Sequence, residues 1–324
     1  MRSAHEGKRI VVVVVGMHRC GTSVLTRGLL AMGLYLGNRL LPPSMTNPKG
    51  YWEDSDAMEI NRIIMGLFDA NELNLHWFTE GELRRVIPAD LYARATGLVR
   101  ERLSHTGVWA FKDPRTARLL PFWQTIFREM GVEDKYVIAC RNPLDSAASF
   151  RDRHNLESSA QKISLLWGGL LWAEHMLCAV NWTQGRPSVV VDYDFLMRDP
   201  VYQLNRVGFA LGITCPATSA EVNDYAAHFV DHSLRHYVSS VDALESCDEI
   251  LPIIKEAYRV LRRQASLDSE FHYDHDAEFW RTTHFAFSSL APALTQLSED
   301  SVNVRPGLRF RLRLLARAWW VRFF

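Results

Sequence analysis

Cysteine is scarce in this chain and falls into no pattern. Five residues in 324 stand at positions 20, 140, 178, 215 and 247, with no Cys-x-x-Cys pair. An odd, scattered set argues against a disulfide framework and against a zinc site, and it suits a reducing compartment. Net charge is absent as well: 37 basic residues meet 37 acidic ones, unlike the strongly basic balance of a nucleic-acid-binding chain. The conspicuous apolar run at 11–15 is only five valines, short of both a membrane span and a signal-peptide core. Glu6 lies among the first ten residues, which further disfavours a secretory leader, so a cytoplasmic location is expected. Internal repeats and low-complexity linkers are missing too, which points to one domain over residues 1–304, with its motifs in 9–200 and a helical remainder over 201–304. Residues 305–324 differ, holding six arginines and no acid. Arginines interleaved with leucines and aromatics suit an anionic membrane surface at the inner face; a helix packed on the domain is the alternative.

What the chain does have is concentrated near its start. Val11 to Val15 are β-branched and stiff at χ1, which favours a strand. An unbroken apolar run fits a central parallel strand covered on both faces. Gly16 ends it, and residues 24–32 carry Leu25, Leu29 and Met32 at helical spacing. Strand, glycine turn and helix N-terminus together make a cradle for a phosphate. The spacing Gly16-x4-Gly21-Thr22-Ser23 approaches the P-loop but puts Thr22 where that motif has its lysine. Ordinary ATP or GTP hydrolysis is thereby disfavoured. Arg19, inside the loop beside Cys20, is the strong cation on offer, with a planar fork of donors.

Strands near 9–15, 108–111, 135–139 and 188–191 alternate with helices expected at 55–68, 90–103, 116–130, 144–153 and 158–183. This pattern predicts an α/β fold with a doubly wound parallel sheet, which binds ligands outside the carboxyl ends of its strands. Polar clusters stand at all four strand ends: the loop just described, Lys112-Asp113-Pro114-Arg115, Arg141-Asn142-Pro143 and Asp192-Tyr193-Asp194. Residues 34–54, rich in glycine, proline and asparagine, form a long irregular stretch of the kind that serves as a functional loop or lid. Further helices are expected at 200–211, 219–228, 248–264 and 276–297. Trp167 and Trp172 read as core, and Asp192 as fixing a turn.

In combination the clusters resemble the 3′-phosphoadenosine 5′-phosphosulfate (PAPS)-dependent sulfotransferases of the bacterial branch. The matching motifs are Gly-Met-His-Arg-x-Gly-Thr-Ser at 16–23, Asn-Pro-Lys-Gly-Tyr-Trp-Glu at 47–53, Lys-Asp-Pro-Arg at 112–115 and Arg-Asn-Pro-x-Asp-x-Ala-x-Ser at 141–149. The resemblance runs from about residue 9 to residue 200 and continues weakly at 231–236. It implies that the loop, Gly16 to Ser23 with Arg19, Cys20, Gly21 and Thr22, holds the 5′-phosphosulfate. It implies that Arg141 and Ser149 hold the 3′-phosphate and that Tyr193 touches adenine. The cytosolic animal enzymes add a Gly-rich segment with a lysine at the 3′-phosphate; this chain has none, and Arg235 is the candidate substitute. Their catalytic histidine corresponds to Pro114 here, so the proton acceptor must be another group. Glu53 is the first candidate, at the position where glycan- and tyrosine-modifying relatives place a glutamate. Asp113 is the second, its alternative role being an ion pair with Arg115 or Lys112. His18 is a third candidate, within reach of substrate or sulfate, and Lys112 is the cation for the leaving group.

The function so implied is transfer of a sulfuryl group from PAPS, without a metal, to a hydroxyl or amine of a glycan, a lipid-linked or a small-molecule acceptor. The alternatives are a P-loop small-molecule kinase, with Asp192 and Asp113 around Mg²⁺, and a non-catalytic nucleotide-binding or membrane-scaffold protein.

Overall fold

The computed structural model describes residues 9–44, 47–157, 162–213, 220–266 and 276–300. Four parallel strands, β1 (Ile10–Val15), β2 (Val108–Lys112), β3 (Glu133–Cys140) and β4 (Ser188–Asp192), pair in the order β2-β1-β3-β4. Successive side chains of a strand face opposite ways, so the valine run divides between two cores. Val11, Val13 and Val15 pack with Trp109, Phe111, Trp123 and Trp172. Val12 and Val14 pack with Leu25, Leu29, Leu204 and Val207. Both faces are covered, which is why the run does not alternate.

Helix α1 (Thr22–Ala31) follows β1; α2 (Ser55–Gly66), α3 (Glu80–Val86) and α4 (Ala89–Thr106) lead to β2; α5 (Thr116–Glu129) leads to β3. Then α6 (Pro143–Glu157) and α7 (Leu165–Thr183) precede β4. Beyond it lie α8 (Tyr193–Arg198), α9 (Pro200–Ala210), α10 (Ala220–Asp224), α11 (Val241–Ser246), α12 (Pro252–Ala265) and α13 (Ala277–Asp300). The chain leaves β1 for β2 on one side and returns across it to β3 on the other. The crevice at this reversal, between the carboxyl ends of β1 and β3, is where such sheets take their ligands. The α/β doubly wound expectation is met.

Local chemistry accounts for where element bounds differ from expectation. Helix α3 was not anticipated, although Thr79 and Glu82 form a capping box, with Glu82 N donating to Thr79 Oγ1 at 3.2 Å and Thr79 N to Glu82 Oε2 at 3.5 Å. Helix α7 starts at Leu165, after Ser164 accepts from Trp167 N; the start expected at 158 lies outside the described residues. The helix expected from 248 starts at Pro252, a residue suited to the first helical position. The one expected over 219–228 ends in a π-turn, Tyr225–Phe229. Residues 305–324 lie outside the described residues. Among the described residues no helix is long and apolar enough to cross a membrane.

The irregular stretch 34–54 is tied at both ends. Ala110 N donates to the Tyr35 carbonyl at 2.8 Å, Leu41 N to that of Glu53 at 2.9 Å, and Ser55 N to that of Arg39 at 2.8 Å. Asp54 caps α2, accepting from Asp56 N. Arg102 of α4 holds both Asp54 oxygens, at 2.6 and 3.2 Å, and Asp56 at 2.6 Å. Arg102 and Asp54 are each 1% exposed, so removing one partner strands a buried charge. Arg102→Leu is therefore expected to lower unfolding free energy by about 3–5 kcal/mol, read from urea melts. A loss under about 1 kcal/mol, the range of an exposed pair, would contradict the clamp.

Candidate active site at the carboxyl ends of the strands

The loop after β1 is shaped by two glycines. Gly16 has φ +155°, and a Cβ there would lie 2.5 Å from the Ala139 carbonyl oxygen, so the loop presses on β3. Gly21 has φ +80°, and a Cβ there would lie 2.3 Å from Tyr193 Cδ2. Between them Arg19, with φ +70°, adopts the left-handed region without being glycine. The first N–H groups of α1, from Thr22 and Ser23, have no intrahelical acceptor and stand at its positive end. Cys20 is used for packing: its N–H donates to the Met17 carbonyl at 3.3 Å and its sulfur lies 3.4 Å from Ser146 Oγ. Burial pushes its thiol up to about 11.

Beside the loop three arginines gather around Tyr193. Arg19 Nε donates to Ser149 Oγ at 2.9 Å, joining two residues assigned from sequence to different phosphates. Arg141 Nη1 donates to the Arg19 carbonyl at 3.1 Å and Nη2 to the Tyr237 carbonyl at 2.6 Å. Its guanidinium lies 4.6 Å from the centre of the Tyr193 ring, and that of Arg235 lies 5.3 Å from it. Arg235 also pairs with Asp194. The Nε atoms of Arg141 and Arg235 are buried without a hydrogen-bond partner, an expensive state for a donor. Burial and the neighbouring charges of Arg153 and Arg141 press the Arg19 guanidinium below its ordinary value. Like charges crowded in this way favour an anion among them.

At the end of β2, Lys112 Nζ donates to Glu53 Oε1 at 2.7 Å and to Ser23 Oγ at 3.2 Å. Lys112 and Glu53 are 2% and 6% exposed. The pair thus links the loop after β1 to the end of the 34–54 stretch. Trp52, with φ +57°, turns the chain so that Glu53 faces inward while Asp54 caps α2. Burial raises the Glu53 carboxyl above its ordinary value, with Lys112 opposing and Asp113 assisting.

Asp113 is fully buried and committed to structure. It accepts from Asn61 Nδ2 at 2.9 Å and, through Oδ1, from Arg115 N at 3.1 Å and Arg115 Nη1 at 2.9 Å. This is the ion-pair role weighed against catalysis from the sequence. Asn61, unanticipated, also donates to Thr116 Oγ1 and accepts from Trp123 Nε1, both at 2.8 Å. Its sequence signal is a polar residue on the buried stripe of α2, beside Ala57, Ile60, Ile64 and Met65. The ring of His18 lies 5.6 Å from that of Phe150 and 6.3 Å from that of His175. Burial, then Arg115 and His175, holds it well below its ordinary value, so it is neutral.

No known protein-family model matches the chain, and no curated protein matches it. Among solved structures it is similar to a sulfotransferase domain from the Synechococcus PCC 7002 olefin synthase, at 16% identity and TM-score 0.42, covering 88% of this chain and 98% of that one. A sulfotransferase domain from the curacin biosynthetic pathway gives 14% identity and TM-score 0.41, over 67% and 77%. A sulfotransferase of Mycobacterium tuberculosis H37Rv gives 15% and 0.40, over 78% and 77%. Values this low leave the assignment of function to the residues themselves.

Asp192 holds Tyr193 in place by capping α8, accepting from Asp194 N at 2.9 Å and Phe195 N at 3.3 Å. Tyr258 OH donates to its other oxygen at 3.1 Å. Burial, helped by Asp194, raises its carboxyl to about 6. A carboxyl raised on folding contributes stability that is complete below the unfolded value, near 4, and is lost as pH climbs through the folded value. The expected loss between about pH 4 and 6 is about 3 kcal/mol. Asp192→Asn keeps the cap and should flatten that slope in urea melts run across pH; an unchanged slope would reassign it.

Proposed function

We propose that this protein transfers a sulfuryl group from PAPS to a hydroxyl or amine of an acceptor. The observation that carries the reading is the gathering of Arg19, Arg141 and Arg235 from three chain segments around Tyr193, beside a lysine-less phosphate loop, with two Nε donors buried and unpartnered. One phosphate needs the loop alone. A second anionic group and an aromatic base give the arginines and Tyr193 their purpose. On this reading the loop with Arg19 takes the phosphosulfate, Arg141 with Ser149 and Arg235 the 3′-phosphate, and Tyr193 the adenine.

The bound donor supplies the activated sulfuryl group; the chain supplies orientation, charge and a proton acceptor. An acceptor oxygen forms a bond to sulfur as the bond from sulfur to the phosphate oxygen breaks. Glu53 takes the proton from that acceptor hydroxyl. Once protonated, it no longer holds Lys112 as an ion pair, and the ammonium is released toward the negative charge on the leaving oxygen. Proton transfer and charge stabilisation are coupled through one 2.7 Å contact. A kinase reading is disfavoured because its two candidate Mg²⁺ ligands are spent: Asp113 on Asn61 and Arg115, and Asp192 on the α8 cap.

Adenosine 3′,5′-bisphosphate is expected to bind far more tightly than ATP in calorimetry; equal or tighter ATP binding would reject the donor. Arg141→Ala should cost about 2–5 kcal/mol in that affinity and much less for adenosine 5′-phosphosulfate, which lacks the 3′-phosphate. An equal loss for both would remove Arg141 from that contact.

Glu53→Gln should leave donor affinity near wild type while turnover falls on the order of 10²–10⁴-fold. Because burial raises the Glu53 carboxyl, the acidic limb of the wild-type rate profile should lie above the ordinary carboxylate value and vanish in the variant. Asp113→Asn, made in parallel, should lose less. Undiminished turnover in Glu53→Gln would exclude it as the base.

A further inference from the structure

The irregular stretch between α2 and α3 is built to hold one side chain in place. Asn71 and Asn74 lock a tight turn: Asn71 Oδ1 accepts from Leu73 N at 2.7 Å and Asn74 N at 3.2 Å, while Asn74 Oδ1 accepts from Asn71 N at 2.8 Å. Arg118 of α5 ties both carbonyls from beneath, Nη1 to Asn71 at 2.9 Å and Nη2 to Asn74 at 3.1 Å. Arg118 is itself held by the buried Glu174 at 3.2 Å, and Glu174 accepts from His76 N at 2.7 Å. The indole of Trp167 donates to the Leu73 carbonyl at 2.6 Å. The residue carried by this scaffold is Glu72.

Glu72 reaches into the neighbourhood of the proposed base. Its Oε2 lies 3.2 Å from Arg115 Nη2 and 3.9 Å from His18 Nε2. Arg115 follows the Lys112-Asp113-Pro114 turn at the end of β2, and His18 belongs to the phosphate loop. The two donors are 18% and 12% exposed at the side chain, whereas Glu72 is 41% exposed. The cationic and donor side is therefore inside and the carboxylate comes from the solvent side. His18 Nε2 is buried and makes no hydrogen bond; at 3.9 Å it is close to the carboxylate oxygen but is not satisfied by it. Arg115 has its other arm fixed on Asp113, which in turn is fixed by Asn61, so Nη2 is aimed and cannot swing away.

A surface ion pair has no need of this scaffold, since exposed pairs contribute little. A guanidinium arm and an imidazole nitrogen converging on one carboxylate oxygen, next to Lys112 and Glu53, form a carboxylate-recognition site occupied by the protein's own glutamate. We propose that the acceptor carries a carboxylate close to the group that is sulfurylated, and that this carboxylate displaces Glu72 from Arg115 and His18. A uronic acid or a hydroxy acid has the required chemistry, whereas a neutral sugar or a simple alcohol does not. The inference rests on the transferase reading above, because only a transferase has an acceptor, but the site itself is tested without turnover.

The probe is sodium acetate, titrated calorimetrically into the full-length wild type and into Glu72→Ala and Glu72→Gln, with and without adenosine 3′,5′-bisphosphate. Acetamide is the neutral control. A tethered carboxylate competes at an effective concentration in the mM range, so acetate is expected to bind either variant on the order of tenfold more tightly than wild type. Acetamide should show no such gain. The His18 imidazole ¹H–¹⁵N signals should shift on acetate addition in the variants. Acetate binding that is no tighter in both variants, or matched by acetamide, would overturn the proposal. Failure of the wild type to bind the bisphosphate strikes the donor reading instead and leaves the acetate result to stand or fall alone.

Discussion

Lys112 carries its charge at the end of β2, an outer strand of the sheet, where only 2% of the residue reaches solvent. A bare ammonium there would be far too costly to keep, and Glu53 is the carboxylate that meets it, at 2.7 Å. Much of the surrounding architecture serves to deliver that glutamate. The 34–54 stretch is pinned to β2 through Tyr35 and closed on itself through Leu41 and Ser55. Trp52 adopts a left-handed backbone, and Asp54 is held by Arg102. Adjacent carboxylates thus have different duties: Asp54 ends a structural clamp, and Glu53 faces the Lys112 ammonium. Burial raises the Glu53 carboxyl above its ordinary value here, which supports the base role proposed for it.

The same economy of charge separates the three carboxylates beside the strand ends. Glu53, Asp113 and Asp192 all stand beside strand ends and all are buried. Asp113 is consumed by Asn61 and by both the backbone and side chain of Arg115. Asp192 is consumed by the α8 cap and Tyr258. Glu53 keeps one charged partner that the proposed reaction would draw away. Local spacing cannot rank three such acids; the identity of what surrounds them can.

Much of the fold was legible in the sequence because it rests on strong local signals. Five valines specify a strand buried on both faces, and strand ends carry their own punctuation in Gly16, Pro114 and Pro143. The order of motifs along the chain then places the loop, Lys112 and Arg141 at one edge of the sheet. What was not legible came from long-range meetings. Arg19 bonding Ser149 spans 130 residues, and Glu72 approaching Arg115 and His18 joins three segments by way of a turn whose asparagines look like any loop. Helix α3 carried its Thr79–Glu82 capping signal, but seven residues have too little periodicity to announce a helix.

On the proposed reading, the donor and acceptor sides of the site are joined through the short run 112–115. Lys112 touches Ser23 of the phosphate loop and Glu53, Asp113 locks the turn to α2, and Arg115 faces Glu72. Pro114 makes this turn stiff, since its ring fixes φ, so the spacing between Lys112 and Arg115 hardly varies. An acceptor held through a carboxylate by Arg115 would have its reacting oxygen placed relative to Lys112 and Glu53 by that stiffness, without a dedicated contact to the oxygen itself. Positioning of this kind supplies rate by removing freedom before the reaction rather than by adding bonds during it. On the proposed reading it would also make acceptor choice and catalysis inseparable, because Arg115 and Lys112 share the same four-residue turn.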